Sequence, residues 1–217
     1  MITAILRFAS EEDDIGKAPR MRKLQEPKRV PLAFTADEFL AILSVTDRTT
    51  GTICGIPTND WWRGLLCVGW EAGLRITALL SLASRDVLLD QSGLFSQAED
   101  QKDKEADWYP LSPETTEAVR RIYDTRRTLL FPCHLTLNGL RRRFRTIMKR
   151  SGIYAPKGAG MAFHRLRRST ASYTAAAGGD ATKKLCHSSP KITARYIDPR
   201  VVRPSRNADL VPAPILK

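Results

Sequence analysis

The chain has no apolar run approaching ~18 residues, so no segment qualifies as a transmembrane helix. Its opening stretch, MITAILRFASEEDDIG, shows neither a basic leader nor a cleavage pattern, which argues against a secretion signal. Cysteine is scarce. Cys54, Cys67, Cys133 and Cys186 are scattered without a CxxC and read as reduced cytosolic thiols. Cys133–His134 and Cys186–His187 are adjacent pairs. Neighbouring residues seldom chelate one ion comfortably, so no metal site is expected. No carboxylate cluster suited to Mg²⁺ stands out, no cofactor is expected, and there is no internal repeat.

What the chain does have is size and positive charge. Its 217 residues are enough for one good-sized domain plus appendages, and 42% hydrophobic content supports a real core. The formal net charge is +12. Such an excess points to a polyanionic partner, nucleic acid first and an anionic membrane second.

Ile2, Ile5, Leu6 and Ala9 fall at helical spacing and precede an acidic run, Glu11–Asp14. Residues 16–33 combine prolines with Lys/Arg, among them Lys28 and Arg29, and read as a basic linker. Thr35 and Glu38 form a capping box ahead of the stripe Phe39, Ile42 and Leu43. A polar loop is expected through Asp60, then an apolar helix from Trp61 to Ala72 that Gly73 ends. Arg75 follows, flanked by apolar residues. Burying a guanidinium is costly unless an anion meets it. A partly exposed arginine bonded to helix-end carbonyls is the plainer alternative.

Residues 86–111 change character. Asp86–Leu89, Gly93–Gln97 and Asp107–Leu111 read as short antiparallel strands, with Lys102 and Lys104 on a hairpin. Ser112-Pro113-Glu114 starts another helix, with Val119, Ile122 and Tyr123 inside and Arg120, Arg121, Arg126 and Arg127 outside. Leu137, Leu140, Phe144, Ile147 and Met148 give the next helix, ended by Gly152. Its polar face holds Arg141, Arg142, Arg143, Arg145, Lys149 and Arg150, a candidate to track a DNA backbone. The tail, 200–217, reads as extended.

Everything else serves the stretch from His164 to Tyr196. His164 and Arg167 stand at i and i+3 on one helix face and can reach one target together. A small-residue helix, the Gly178–Gly179 break and a second short helix follow. His187 comes next. Ser189–Pro190 starts a further helix, which places Tyr196 about two turns into it. Two His, one Arg and one Tyr form a set able to handle phosphate. A basic helix with a buried tyrosine is the plainer alternative.

With these segments placed, the sequence resembles the catalytic domain of tyrosine recombinases, the phage-integrase family, over roughly residues 34–199. Gly73-Leu74-Arg75 is similar to the first-arginine motif. Lys102, ahead of Pro110-Leu111, resembles the hairpin lysine. His164-Arg165-Leu166-Arg167 matches H-x-L-R, and His187-Ser188-Ser189 ahead of Tyr196 matches the final histidine and the nucleophile. The resemblance implies a mainly α fold with a small antiparallel β-sheet (α+β), the DNA breaking-rejoining fold. It implies metal-free cleavage of double-stranded DNA through a 3′-phosphotyrosine on Tyr196. His164 then takes the phenol proton, Arg75, Arg167 and His187 meet the charge on the phosphoryl oxygens, and Lys102 protonates the leaving 5′-oxygen. Self-association into a tetramer on DNA, no membrane partner, and action in the bacterial cytoplasm at the nucleoid are implied too. Three departures stand out: Cys186 where the family has Gly, Ala78 where it commonly has an acid, and only residues 2–12 (within 1–15) as the expected remnant of an N-terminal DNA-binding domain. Two other readings are a DNA-binding fragment that does not recombine, and a type IB topoisomerase.

Overall fold

The computed structural model describes residues 2–12, 14–17, 30–96, 107–154 and 162–202. Helix α1 (Ile2–Glu11) stands at the start, with Ile5 and Phe8 largely exposed. The Thr35 hydroxyl accepts from the Glu38 N–H, and the Glu38 carboxylate accepts from the Thr35 N–H. This reciprocal box fixes the start of α2 (Ala36–Thr46), which buries Phe39, Ile42 and Leu43 as its spacing requires.

The expected polar loop holds a small ribbon instead. Strands β1 (Thr52–Ile53) and β2 (Ile56–Pro57) pair antiparallel and bury Ile53 and Ile56. Helix α3 (Thr58–Ala72) begins at Thr58, ahead of the expected Trp61, because its first turn is polar. It packs against α2, α5 and α7 and is the centre of the core. Trp62, Phe144 and Phe163 stack in succession, with the Phe144 and Phe163 rings 4.6 Å apart. Trp61 is wholly buried, and its indole donates to Pro132 O at 3.0 Å, the partner a buried indole needs.

After α4 (Ile76–Ser81) come β3 (Val87–Leu88), β4 (Gly93–Ser96) and β5 (Asp107–Pro110), an antiparallel sheet in the order β3-β4-β5. Leu94 pairs with Val87 on one side and Tyr109 on the other. The Ser112 hydroxyl caps α5 (Pro113–Arg120), with Pro113 in the first turn. Glu71 of α3 anchors this start, accepting from Ser112 N, Ser112 Oγ and Thr115 Oγ1 at 2.8, 2.6 and 2.6 Å. Arg127 lies half-buried, not outside as expected, because its guanidinium caps the Ile122 carbonyl at 3.1 Å.

Thr136 caps α6 (Leu137–Arg150), and Gly152 ends it with φ +74°. Then follow α7 (Ala162–Ala176), α8 (Ala181–Lys184) and α9 (Pro190–Thr193). The architecture is mainly α with small antiparallel sheets, as expected. Among the described residues no helix is long and apolar enough to cross a membrane.

Candidate active site

Helix α7 faces two ways. Arg165, Ser169 and Tyr173, one turn apart, hold the entering chain: Arg165 donates to Ala33 O, Ser169 Oγ accepts from Phe34 N, and the Tyr173 hydroxyl accepts from Ala36 N. His164, Arg167 and Arg168 take other positions around the helix.

Arg167 is the hub. It is buried, and its guanidinium donates to Gly73 O at 2.7 Å and Leu185 O at 2.5 Å. It also stands 3.2 Å from His187 Nε2. His187 Nδ1 lies 3.0 Å from Thr193 Oγ1. Since an arginine can only donate, Nε2 accepts, and in the neutral ring Nδ1 carries the proton toward Thr193. One guanidinium thus ties together the loop after α3, the loop after α8 and the final histidine.

Gly73 makes this junction possible. Its φ of +65° is left-handed, and a Cβ would sit 3.0 Å or less from Leu185 and Thr170 side-chain carbons. The tight turn presents the Gly73 carbonyl to Arg167 and starts α4 with Arg75 as its N-cap residue.

Tyr196 closes the cluster. Its ring centroid lies 4.9 Å from that of His164 and 4.7 Å from that of His187, with the Arg167 guanidinium carbon 5.9 Å away. The phenol is not two turns into a helix. α9 is a single turn, and Tyr196 sits just beyond it, its N–H donating to Thr193 O at 2.7 Å. Ser189 is at the N-cap with Pro190 following, but its side chain makes no capping bond, so little sustains a longer helix.

The structure therefore brings His164, Arg167, His187 and Tyr196 together, with Arg75 close enough for its charge to depress the protonation of both His164 and Arg167. Lys102, Lys104, Lys28 and Arg29 lie outside the described residues. On α6, Arg142, Arg143, Arg145 and Lys149 are exposed as expected. Arg141 is half-buried instead and bonds Asn138 on its own helix at 3.2 Å. Arg142 and Arg145 line an open groove of about 450 Å³ at the start of α6.

Burial pushes the His164 pKa down to about 4, helped by the positive charges of Arg168, Arg167 and Arg75. Burial likewise lowers Arg167 and Arg168. Cations crowded around a neutral imidazole lower each other's protonation, and an incoming dianionic or monoanionic phosphate relieves that repulsion. Two contributors escaped the sequence reading. Arg168 is the i+4 neighbour of His164, a spacing that could have revealed it. Thr193, three residues ahead of Tyr196, orients His187 and carries no local signature.

Cys186 occupies a strained position. Its φ is +49°, the left-handed region that favours glycine. Its thiol lies 3.4 Å from Asp107 Oδ2 and 3.9 Å from the Tyr109 hydroxyl, which links the His187 loop to β5. Burial raises the thiol pKa, so it stays protonated and donates to Asp107. A Cβ in left-handed backbone costs about 1 kcal/mol. Cys186→Gly is therefore expected to raise stability by about that amount, less whatever the weak thiol bond supplies. Thermal unfolding checks it, and a fall in melting temperature would show that the thiol contacts outweigh the strain.

Helical core, three-stranded sheet and a tyrosine among arginines and histidines define a catalytic domain of the DNA breaking-rejoining class. The chain belongs to the phage integrase family, whose family model matches residues 33–202. Members of that family are DNA strand-transferring enzymes. Among solved structures, XerA recombinase is similar over 93% of this chain and 71% of its own, at 19% identity and a TM-score of 0.63. A lambda integrase dimer bound to a COC′ core site is similar over 92% of this chain and 57% of its own, at 21% identity and a TM-score of 0.67. The Tn1549 transposon integrase (residues 82–397) in complex with circular intermediate DNA is similar over 90% and 71%, at 18% identity and a TM-score of 0.65. No curated protein matches.

Proposed function

We propose that this chain cuts and rejoins double-stranded DNA as a site-specific recombinase, with Tyr196 as nucleophile. The observation that carries the reading is the packing of the Tyr196 ring between His164 and His187 beside the buried Arg167. The Tyr196 oxygen attacks a scissile phosphodiester and forms the Tyr–O–P bond. The bond to the 5′-oxygen breaks, leaving a 3′-phosphotyrosine and a free 5′-hydroxyl. His164 is held neutral and accepts the phenol proton. Arg75 and Arg167 meet the charge that develops on the phosphoryl oxygens. His187, expected to meet the phosphoryl charge directly, instead fixes Arg167 by accepting from it, its other nitrogen being turned to Thr193. Lys102 supplies the proton to the leaving 5′-oxygen. Rejoining reverses these steps, and the covalent bond conserves the ester energy.

Backbone phosphates are met by the exposed arginines of α6, with Lys104, Lys28 and Arg29 adding charge. Copies of the chain assemble on DNA, as the lambda integrase dimer does on its core site. Its place of action is the DNA of a bacterial cytoplasm. The test is incubation with candidate attachment-site DNA, followed by denaturing electrophoresis. A band of protein joined to one strand is the expected result, and its absence across such sites counts against the reading.

Two further outcomes follow. Arg75, Arg167 and Lys102 themselves supply the positive charge, so adduct formation is expected to persist in EDTA. Strict dependence on a divalent ion would overturn the charge assignment. The second concerns pH. In the free protein His164 loses its proton near pH 4, well below the ordinary 6.5. Rate at low DNA concentration should thus stay flat as pH falls through 6.5 and drop toward 4. At saturating DNA, the bound phosphate favours the imidazolium, so the drop moves to higher pH. A single limb at 6.5 under both conditions would remove His164 as the base.

A further inference from the structure

Asp198, two residues past Tyr196, is wholly buried, and a buried carboxylate is tolerated only when charged or strongly polar donors surround it. Its donors come from two distant parts of the chain. Ala33 N–H donates to Oδ2 at 2.7 Å. The Arg200 N–H donates to Oδ1 at 2.8 Å, and the Arg200 guanidinium donates to Oδ2 at 2.8 Å. The same guanidinium reaches on to Ala33 O at 2.8 Å. The peptide groups of Ala33 are thus gripped at both ends by the segment that follows the tyrosine.

The connection continues toward Tyr196 itself. Asp198 N–H donates to Ser172 Oγ at 2.9 Å, and Ser172 Oγ donates to the Tyr196 carbonyl at 3.3 Å. Ser172 belongs to α7, the helix that carries His164 and Arg167. Tyr196 has no long helix of its own to set its place, since α9 is one turn. Its register against His164 therefore depends on contacts made after it in the chain.

We propose that Asp198 and Arg200 are positioning residues, a staple that registers Tyr196 against His164 and Arg167 by fastening its segment to the entering chain at Ala33. The proposal rests on the reading of Tyr196 as nucleophile. It makes the chain entering the domain part of the active-site support, because displacing Ala33 from α7 frees Asp198 and, through Ser172, the tyrosine.

The experiment uses the full chain and a nicked duplex that traps the adduct, with protein titrated to saturation of the DNA. Asp198→Asn keeps the shape and removes the charge. Arg200→Gln acts on a half-exposed side chain and spares the core. At saturation both variants are expected to form adduct about 10- to 100-fold more slowly, the scale of a small misplacement of a reacting group. Half-saturation for Asp198→Asn stays within about 3-fold of the unsubstituted chain, since no phosphate contact is removed. Amide exchange at 196–198 rises in both, while exchange in α3 is unchanged. Unaltered saturated rates in both variants, or losses that vanish once corrected for the folded fraction, would overturn the staple. If the unsubstituted chain forms no adduct while exchange at 196–198 still rises, the nucleophile assignment fails and the fastening stands as structure without the catalytic role.

Discussion

Tyr196→Phe is expected to abolish the covalent DNA adduct while leaving DNA affinity and thermal stability close to unchanged. The substitution removes one oxygen. The ring stays between His164 and His187, and the Tyr196 carbonyl still accepts from Ser172. Among the described residues the phenol oxygen makes no hydrogen bond, so the folded state and its basic surface are expected to survive. The rate should fall on the order of 10³-fold or more, the scale met when a nucleophile itself is deleted. Binding is measured by titration of labelled duplex and cleavage by denaturing electrophoresis of the same samples. An adduct that survives in the Phe variant would move the nucleophile elsewhere. Tyr173 is the obvious second tyrosine, but its hydroxyl is occupied by the Ala36 N–H at 2.8 Å on the entering-chain side of α7. It would have to leave that bond to react.

The elements with side-chain caps were legible in the sequence. Thr35 and Ser112 each accept from a backbone N–H at a helix start, and such residues announce themselves locally; Thr136 does the same for α6, which the sequence reading reached only through the apolar stripe behind it. Gly73 and Gly152 end helices with positive φ, the conformation glycine tolerates best. The ribbon of Thr52–Pro57 was not legible, because two-residue strands carry no period. The short α9 was misjudged for a related reason. Ser and Pro mark where a helix begins, while its length is decided by packing, and here the chain turns back so that Asp198 can reach Ala33.

The site divides in the same way. His164, Arg167, His187 and Tyr196 could be named because their chemistry is in their side chains. What holds them could not. Two of the three partners of Arg167 are backbone carbonyls, of Gly73 and Leu185, and a carbonyl has no residue type. Thr193 and Asp198 act through long-range or looped contacts that no spacing rule covers. The buried Arg165, one position from the H-x-L-R histidine, is a structural cation that packs on the Phe34 ring at 4.0 Å and pairs with Glu38 at 3.1 Å. Sequence alone does not separate it from Arg167.

Arg167→Lys is expected to damage stability and chemistry together. A lysine keeps the charge but replaces a planar fork with one compact ammonium. It cannot reach Gly73 O, Leu185 O and His187 Nε2 at once in the guanidinium's geometry. A buried carbonyl left without a donor costs about 1–3 kcal/mol, so the substitution should destabilise the fold by about 2–4 kcal/mol. At roughly 2–4 °C per kcal/mol for a chain of this size, the melting temperature falls by about 5–15 °C. His187 loses the donor that sets its tautomer, and the site loses the buried guanidinium proposed to meet the phosphoryl charge. Adduct formation should drop about 10²- to 10³-fold at temperatures where the variant is folded. Arg75→Lys is the discriminating companion. Arg75 is half-buried and its side chain makes no cap bond at the start of α4. Its loss should slow adduct formation on a similar scale with less than about 1 kcal/mol of destabilisation, the range of a partly exposed side chain. Equal stability losses in the two variants would mean that the carbonyl bonds of Arg167 contribute little. An Arg167→Lys chain that melts and reacts like the unsubstituted protein would remove the hub from the account of this site.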